Sequence, residues 1–374
     1  MTAENNEQNQ TSIKEKFGGK DIKVYVLCGV IATWVLAEAF MSLIGALFGL
    51  AFNLPLTFMA SALLTGIIGQ NGVSLLGDYT TFVGAMIGLL LILFLVKPWR
   101  PYLKAFGTKP AGNKPHMLLI GLLVGFAMNG LCILAAVLAG SVQLQFVQFN
   151  IIGFLVFLVF ICIQSSLEEF VCRGFAYQRL KRTYNTAVAI IASAAMFSLG
   201  HIFNPGISAL ALIDIFATGV LYALMVRYFD SIWLAAGVHT GWNFTQNIIF
   251  GLPNSGLPST YSFFGIVNNT SNGFAYDTAF GVEGTYFAIA VNLICALAVW
   301  LWGRKYGKKQ DFNIWKGSPL EASQAAALAA ATPVASGEIA ANEASAAPVN
   351  DGAKQQTTAN GNAAVAAPKP RWFY

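Results

Sequence analysis

Charge is what this sequence has least of: 10% of its 374 residues are Asp, Glu, Lys or Arg, against 56% hydrophobic residues. A soluble domain carries roughly 25% charged residues. The chain therefore cannot coat a water-facing surface, and a soluble globular enzyme is excluded. The same apolar excess excludes disorder over most of the length, because disorder needs low hydrophobicity with high net charge. A clustered basic face is also missing. The Lys and Arg residues lie in short segments between apolar runs, so the net charge of +5 does not point to nucleic acid. The five cysteines, Cys28, Cys132, Cys162, Cys172 and Cys295, form no Cys-x-x-Cys pair and sit in or beside apolar runs. They read as reduced small hydrophobes. No cleavable signal peptide is evident, since a polar tail of more than twenty residues precedes the first apolar stretch.

What is abundant suits a bilayer. Eight Trp, twelve Tyr and twenty-nine Phe can fill a membrane core and its interfaces. A spanning helix needs about 20 mostly apolar residues. The runs at 24–50, 80–97, 117–140, 150–167, 187–203, 208–228, 231–250 and 284–303 meet that need, giving an all-α polytopic protein with about eight transmembrane helices. The stretch 54–69 is shorter and reads as re-entrant or interfacial. Basic residues test the count. They precede the first run, follow the second, fourth and eighth, and end the sixth. The segments 50–80, 141–150, 203–208 and 251–283 contain no Lys or Arg. With eight spans every basic residue up to 309 falls on one side, which places both termini in the cytoplasm. The organisation that follows is an N-terminal tail (1–23), a membrane domain (24–309, with its core at 150–250) and an Ala-rich disordered cytoplasmic tail (310–374).

Ionisable groups within hydrocarbon are costly and usually functional. Glu38, Glu168, Glu169 and Asp214 are the acidic residues in the runs, and two of the three histidines, His201 and His239, lie in or at the ends of them. His116, in a Lys-Pro-His loop, reads as solvated. Three patterns emerge. In Glu168-Glu169-Phe170-Val171-Cys172-Arg173, helical spacing lets Glu169 pair with Arg173 and turns Glu168 about 100° away. The bland alternative is an interfacial ion pair. In Phe197-Ser198-Leu199-Gly200-His201, Phe and His share a face, with a satisfied structural histidine as the bland alternative. In His239-Thr240-Gly241-Trp242-Asn243, an imidazole and a carboxamide share a face, able to hold an oxyanion or a metal, or to act as an interhelical clamp.

Together the patterns say more. If the fourth and fifth runs form an antiparallel hairpin, Glu168 and His201 come level when the turn centres at Tyr184-Asn185. A carboxylate and an imidazole so placed can share one water, with the carboxylate as general base. Simple spans put His201 near the outer end of its helix and His239 nearer the inner end. The turn Asn204-Pro205-Gly206 is then expected below the outer surface, lining a watery cavity.

The ordered trio of EExxxR, FxxxH and HxxxN on three spans resembles the CAAX-protease and bacteriocin-processing family of intramembrane proteases. The family is also called Abi or type II CAAX prenyl endopeptidase, and the likeness covers about 155–247. The resemblance implies that Glu168 activates water with support from Glu169 and Arg173, and that His201 is the second catalytic residue. It further implies that His239 and Asn243 bind the oxyanion or, in a metalloprotease description, help hold a metal, with Phe197 in support. Glu168, His201 and His239 would then be a candidate set for zinc or another divalent ion, although no HExxH signature is present.

The expectation is an integral membrane endopeptidase, in the cell membrane if the source is bacterial, acting on a peptide or protein substrate within the bilayer and not on nucleic acid. One rival is a non-proteolytic immunity or partner-binding protein on the same scaffold. Another is an ion-coupled transporter using Glu38, Asp214 and Glu168.

Overall fold

The computed structural model describes residues 26–39, 43, 47–306 and 314–316. The N-terminal tail 1–23 and nearly all of 310–374 lie outside the described residues. Two compact units divide between Ile314 and Trp315, and of the second only Trp315 and Lys316 are described.

The described chain is mostly helical, and five helices are long and apolar enough to cross a membrane: Leu47–Leu95, Pro115–Leu138, Ile151–Thr183, Ala209–Phe229 and Tyr286–Tyr306. This is an integral membrane protein. Val26–Glu38 (α1) and Thr186–Leu199 (α7) are apolar but shorter. The difference from eight runs has local causes. The run 24–50 holds α1, with π-helical winding at 39, 43 and 47–49, while 40–42 and 44–46 lie outside the described residues. The run 187–203 holds a 14-residue helix, about 21 Å long. The run 231–250 holds α9 (Ile232–Phe244), which winds on as a π-helical turn, Thr245–Ile249.

The element α2, Leu50–Leu95, is a helix folded back on itself. Gly69 has φ +71° and ψ 172°, a conformation that an L side chain resists. Beyond it the chain reverses. Asn53 Nδ2 donates to the Gly77 carbonyl at 2.6 Å and to the Thr80 and Thr81 hydroxyls at 2.9 and 3.0 Å. A Cβ on Gly84 would meet the Phe48 carbonyl oxygen at 2.3 Å. The stretch 54–69, expected as re-entrant or interfacial, is thus one limb of an antiparallel helical hairpin.

Next come α3 (Arg100–Phe106), α4 (Pro115–Leu138) and a strand, β1 (Val142–Phe146). This strand pairs antiparallel with β2 (Phe264–Asn269), Val142 opposite Asn269 and Phe146 opposite Phe264. The all-helical expectation is corrected by this small sheet; the period-two alternation Val-Gln-Leu-Gln-Phe is its local cause. The end of the bundle that carries the sheet also holds the Gly69 reversal. Asn150 Nδ2 donates to the Ile67 carbonyl, and the Thr260 hydroxyl to that of Asn71, each at 3.2 Å.

A longer helical run then forms from α5 (Ile151–Glu169), a π-helical turn (Phe170–Ala176) and α6 (Tyr177–Thr183). The chain reverses at Tyr184-Asn185. Asn185 caps α7 by accepting the Val188 N–H at 2.9 Å, and Ser208 and Ser231 cap α8 (Ala209–Phe229) and α9 in the same way. The last described helix is α10 (Tyr286–Tyr306).

The closest helix contact is between α4 and α9. Added Cβ atoms on Gly121 and Gly125 would lie 2.4 and 2.0 Å from the Leu234 and Val238 carbonyl oxygens. Those on Gly237 and Gly241 would lie 2.3 and 2.2 Å from the Leu118 and Leu122 oxygens. Two Gly-x-x-x-Gly faces therefore meet backbone to backbone. The seam fixes the height and rotation of α9, the helix that carries His239 and Asn243.

Candidate active site

The described helices enclose a cavity of about 650 Å³, lined among others by Gln164, Glu168, Phe197, His201, His239 and Asn243. Three separate segments thus bring all three sequence patterns to one space. Glu169 and Arg173 stand behind it, both 0% exposed.

The buried pair sets the electrostatics. Arg173 Nη1 donates to Glu169 Oε1 at 2.9 Å, and Nη2 donates to the Gly219 carbonyl at 3.0 Å. The guanidinium carbon lies 4.6 Å from the Phe197 ring centroid and 5.4 Å from that of Tyr222. A planar cation held by a carboxylate, a carbonyl and two rings cannot leave without stranding Glu169. Glu169 Oε1 also faces His239 Nδ1 at 3.3 Å. Because a carboxylate can only accept, Nδ1 carries the proton, which turns Nε2 to the cavity. The His239 ring stacks on Tyr222 at 5.5 Å and meets Phe197 edge-on at 5.7 Å. Its orientation is fixed on three sides.

Glu168, one residue on, faces the other way. Its Oε1 accepts from Gln164 Nε2 at 2.5 Å, and Gln164 Oε1 accepts from Asn243 Nδ2 at 3.2 Å. Its Oε2 lies 3.8 Å from His239 Nε2, too far for a hydrogen bond, and has no partner. The side chain is 15% exposed. The two adjacent carboxylates hold different positions, as their 100° separation on the helix predicts.

His201 follows α7, where the chain turns through residues 200–207. Its Nδ1 lies 2.8 Å from the Phe197 carbonyl. An oxygen that can only accept makes Nδ1 the donor, so Nε2 of the neutral ring is an acceptor. The His201 ring meets Phe197 edge-on at 5.1 Å. Most of this turn is exposed, and one side of it is tied to a cap within residues 251–285. Asn204 Nδ2 donates to the Ser255 carbonyl at 2.9 Å, and Gly256 packs so closely on Pro205 that a Cβ would sit 2.1 Å from its oxygen.

The same cap supplies Glu283. Its Oε1 accepts from Trp242 Nε1 at 3.0 Å, and its Oε2 from the Ser255 backbone N–H at 2.6 Å and hydroxyl at 3.1 Å. Burial pushes the Glu283 carboxyl up to about 7, against the pull of the Ser255 N–H and with the help of nearby Asp214. Glu283 and Asp214 share with both histidines a second, smaller cavity of about 30 Å³, room for one water. Asp214 itself clamps α8 to α10, accepting from the Gly284 N–H at 3.1 Å and from Asn292 Nδ2 at 2.9 Å.

A metal site would need a converging donor set. Among the described residues no three His, Cys, Asp or Glu side chains are grouped to hold an ion. His239 and His201 each hold Nδ1 on an acceptor and keep Nε2 available, as metal-binding histidines do, but with Glu168 they are not drawn together into a three-ligand set.

Residues 148–245 match the family model described as type II CAAX prenyl endopeptidase Rce1-like. Over this segment, about a quarter of its length, the chain is similar to that family. The match takes in Glu168, Glu169, Arg173, Phe197, His201, His239 and Asn243, the residues on which the resemblance was drawn. No curated protein and no solved structure matches the chain.

Sequence reasoning missed Gln164, Tyr222, Trp242 and Glu283. Gln164 lies four residues before Glu168, a helical neighbour that the spacing could have shown. Tyr222 and Glu283 reach the site residues only through tertiary contact.

Proposed function

We propose that the protein is an intramembrane endopeptidase in which Glu168 activates a water against a peptide bond. The observation that carries this reading is Glu168 Oε2, a carboxylate oxygen without a partner at the wall of a cavity shared with His201 and His239. Glu168 takes a proton from water as the water oxygen bonds to the scissile carbonyl carbon. His201 Nε2, free to accept, orients the second water hydrogen. The oxyanion that forms is met by the Asn243 carboxamide N–H not given to Gln164 and, when His239 is doubly protonated, by its Nε2–H. Glu168 then returns its proton to the leaving nitrogen as the C–N bond breaks, giving a carboxylic acid and an amine, and the acid proton passes to the amine to leave a carboxylate and an ammonium. Glu169 and Arg173 act through His239 and are positioning residues. Eight crossings with both termini cytoplasmic belong to this proposal, as does a peptide or protein substrate reached from the bilayer. An ion path through Asp214 finds less support, because both its oxygens are engaged in the α8–α10 clamp.

The test is cleavage of a quenched peptide library by the purified protein in lipid, with Glu168→Ala and His201→Ala beside wild type. Each variant should lose about 10²-fold or more in rate while keeping the wild-type unfolding temperature. Undiminished cleavage by folded Glu168→Ala sinks the reading, as does a folded wild type that cuts nothing. Parallel reactions with a chelator show whether a metal takes part.

A further inference from the structure

The cavity holds two carboxylates for which the proposed reaction has no use. Glu38, on α1, accepts from Trp34 Nε1 at 3.0 Å and reaches the end of α7, where a Cβ on Gly200 would lie 3.6 Å from the same oxygen. Asp78, on the second limb of α2, is exposed and makes no hydrogen bond or ion pair among the described residues. A charge in an apolar helix is expensive unless it meets water or a counter-charge. Among the described residues no Lys or Arg lines the cavity to supply one.

A second vacancy in bonding lies on the same wall. Asn247, one turn beyond Asn243, is 2% exposed and lines the cavity. Its Nδ2 lies 3.5 Å from the Leu252 carbonyl, and its Oδ1 is buried without a partner. A buried acceptor left unmade costs more than an ordinary hydrogen bond returns. A donor that enters the cavity relieves it, and a peptide N–H is such a donor.

We propose that the cavity selects a peptide bearing a basic side chain, Lys or Arg, received by Glu38 and Asp78, with Asn247 Oδ1 accepting a backbone N–H of the same segment. The Trp34 and Tyr79 rings, which also line the cavity, suit the apolar stem and the cationic head. The inference rests on reading the cavity as the peptidase site. Glu38, Asp78 and Asn247 all lie outside residues 148–245, so this selectivity belongs to the chain and not to the matched domain.

The experiment uses the full chain carrying Glu168→Gln, so that a peptide is held and not cut, in nanodiscs of zwitterionic lipid. Fluorescent peptides identical except for one Lys, Gln or Glu are titrated and Kd is read by anisotropy. The Lys peptide should bind at least about tenfold more tightly than the other two, a difference of roughly 1.4 kcal/mol. The preference should shrink with salt and collapse when Glu38→Gln and Asp78→Asn are added. Asn247→Leu should weaken all three peptides alike. Equal binding of the three, no binding of any, or a preference that survives the double substitution at unchanged unfolding temperature overturns the inference. Cleavage by the Glu168 protein is measured separately. Cleavage without a basic preference sinks this inference alone, and a basic preference without cleavage sinks the peptidase reading alone.

Discussion

Gly125→Ala tests whether the α4–α9 seam holds the site in place. The added methyl would lie 2.0 Å from the Val238 oxygen and 2.8 Å from the Trp242 nitrogen, both backbone atoms that no rotamer change can move. Real Cβ contacts begin near 3.0 Å, so the two helices must part by about 1 Å. Overpacking of this kind costs about 1–3 kcal/mol. The same displacement carries His239 and Asn243 away from Glu168, and a 1 Å misplacement can cost about 10²-fold in rate. Gly130→Ala, on the same helix, is the control. Nothing lies within 4 Å of its added Cβ, and the exchange should stabilise by up to about 1 kcal/mol through helix propensity. Thermal unfolding in detergent and peptide cleavage are read on both variants. If Gly125→Ala unfolds and cleaves like Gly130→Ala, the seam does not position the site and the reasoning fails.

Three further substitutions probe the electrostatics. Arg173→Met should destabilise by about 3–5 kcal/mol, because Glu169 is left charged and buried. Adding Glu169→Leu should restore most of the stability by denaturant unfolding but not the cleavage rate, since His239 loses the carboxylate that orients it. Glu283 should make the cap sensitive to pH. Its ordinary carboxyl value is 4.5 and burial raises it to about 7, so the folded form keeps a proton that an opened cap has already lost. Stability is full below about 4.5 and declines until about pH 7, by roughly 3 kcal/mol. Glu283→Gln should flatten that slope in unfolding scans across the range, and an unchanged slope would show that another group titrates.

The motif residues were legible because helical spacing is rigid. Glu169 and Arg173 at i, i+4 had to share a face, and the turn at Tyr184-Asn185 could be placed by counting from Glu168 and His201. Helix ends were less legible, because hydropathy reports apolarity and not where hydrogen bonding stops. It ran 187–203 together although α7 ends at Leu199, and it ended the stretch 54–69 at Gly69 without showing that the chain folds back there as a hairpin. Glu283 was out of reach in principle. It lies in a polar loop, and nothing near it in sequence announces Trp242, 41 residues earlier. The glycine seam lies between these cases: Gly121 with Gly125 and Gly237 with Gly241 are visible as pairs, but which face meets which is a tertiary fact.

That seam also has a thermal consequence. Lipid tails are as apolar as side chains, so α4 and α9 gain little from the hydrophobic effect by meeting. What binds them is close-range dispersion between backbones in contact at Gly121, Gly125, Gly237 and Gly241. Hydrophobic stabilisation weakens on cooling, but dispersion does not. The contact that sets His239 against Glu168 should therefore keep its register in the cold, when a water-driven core would begin to loosen.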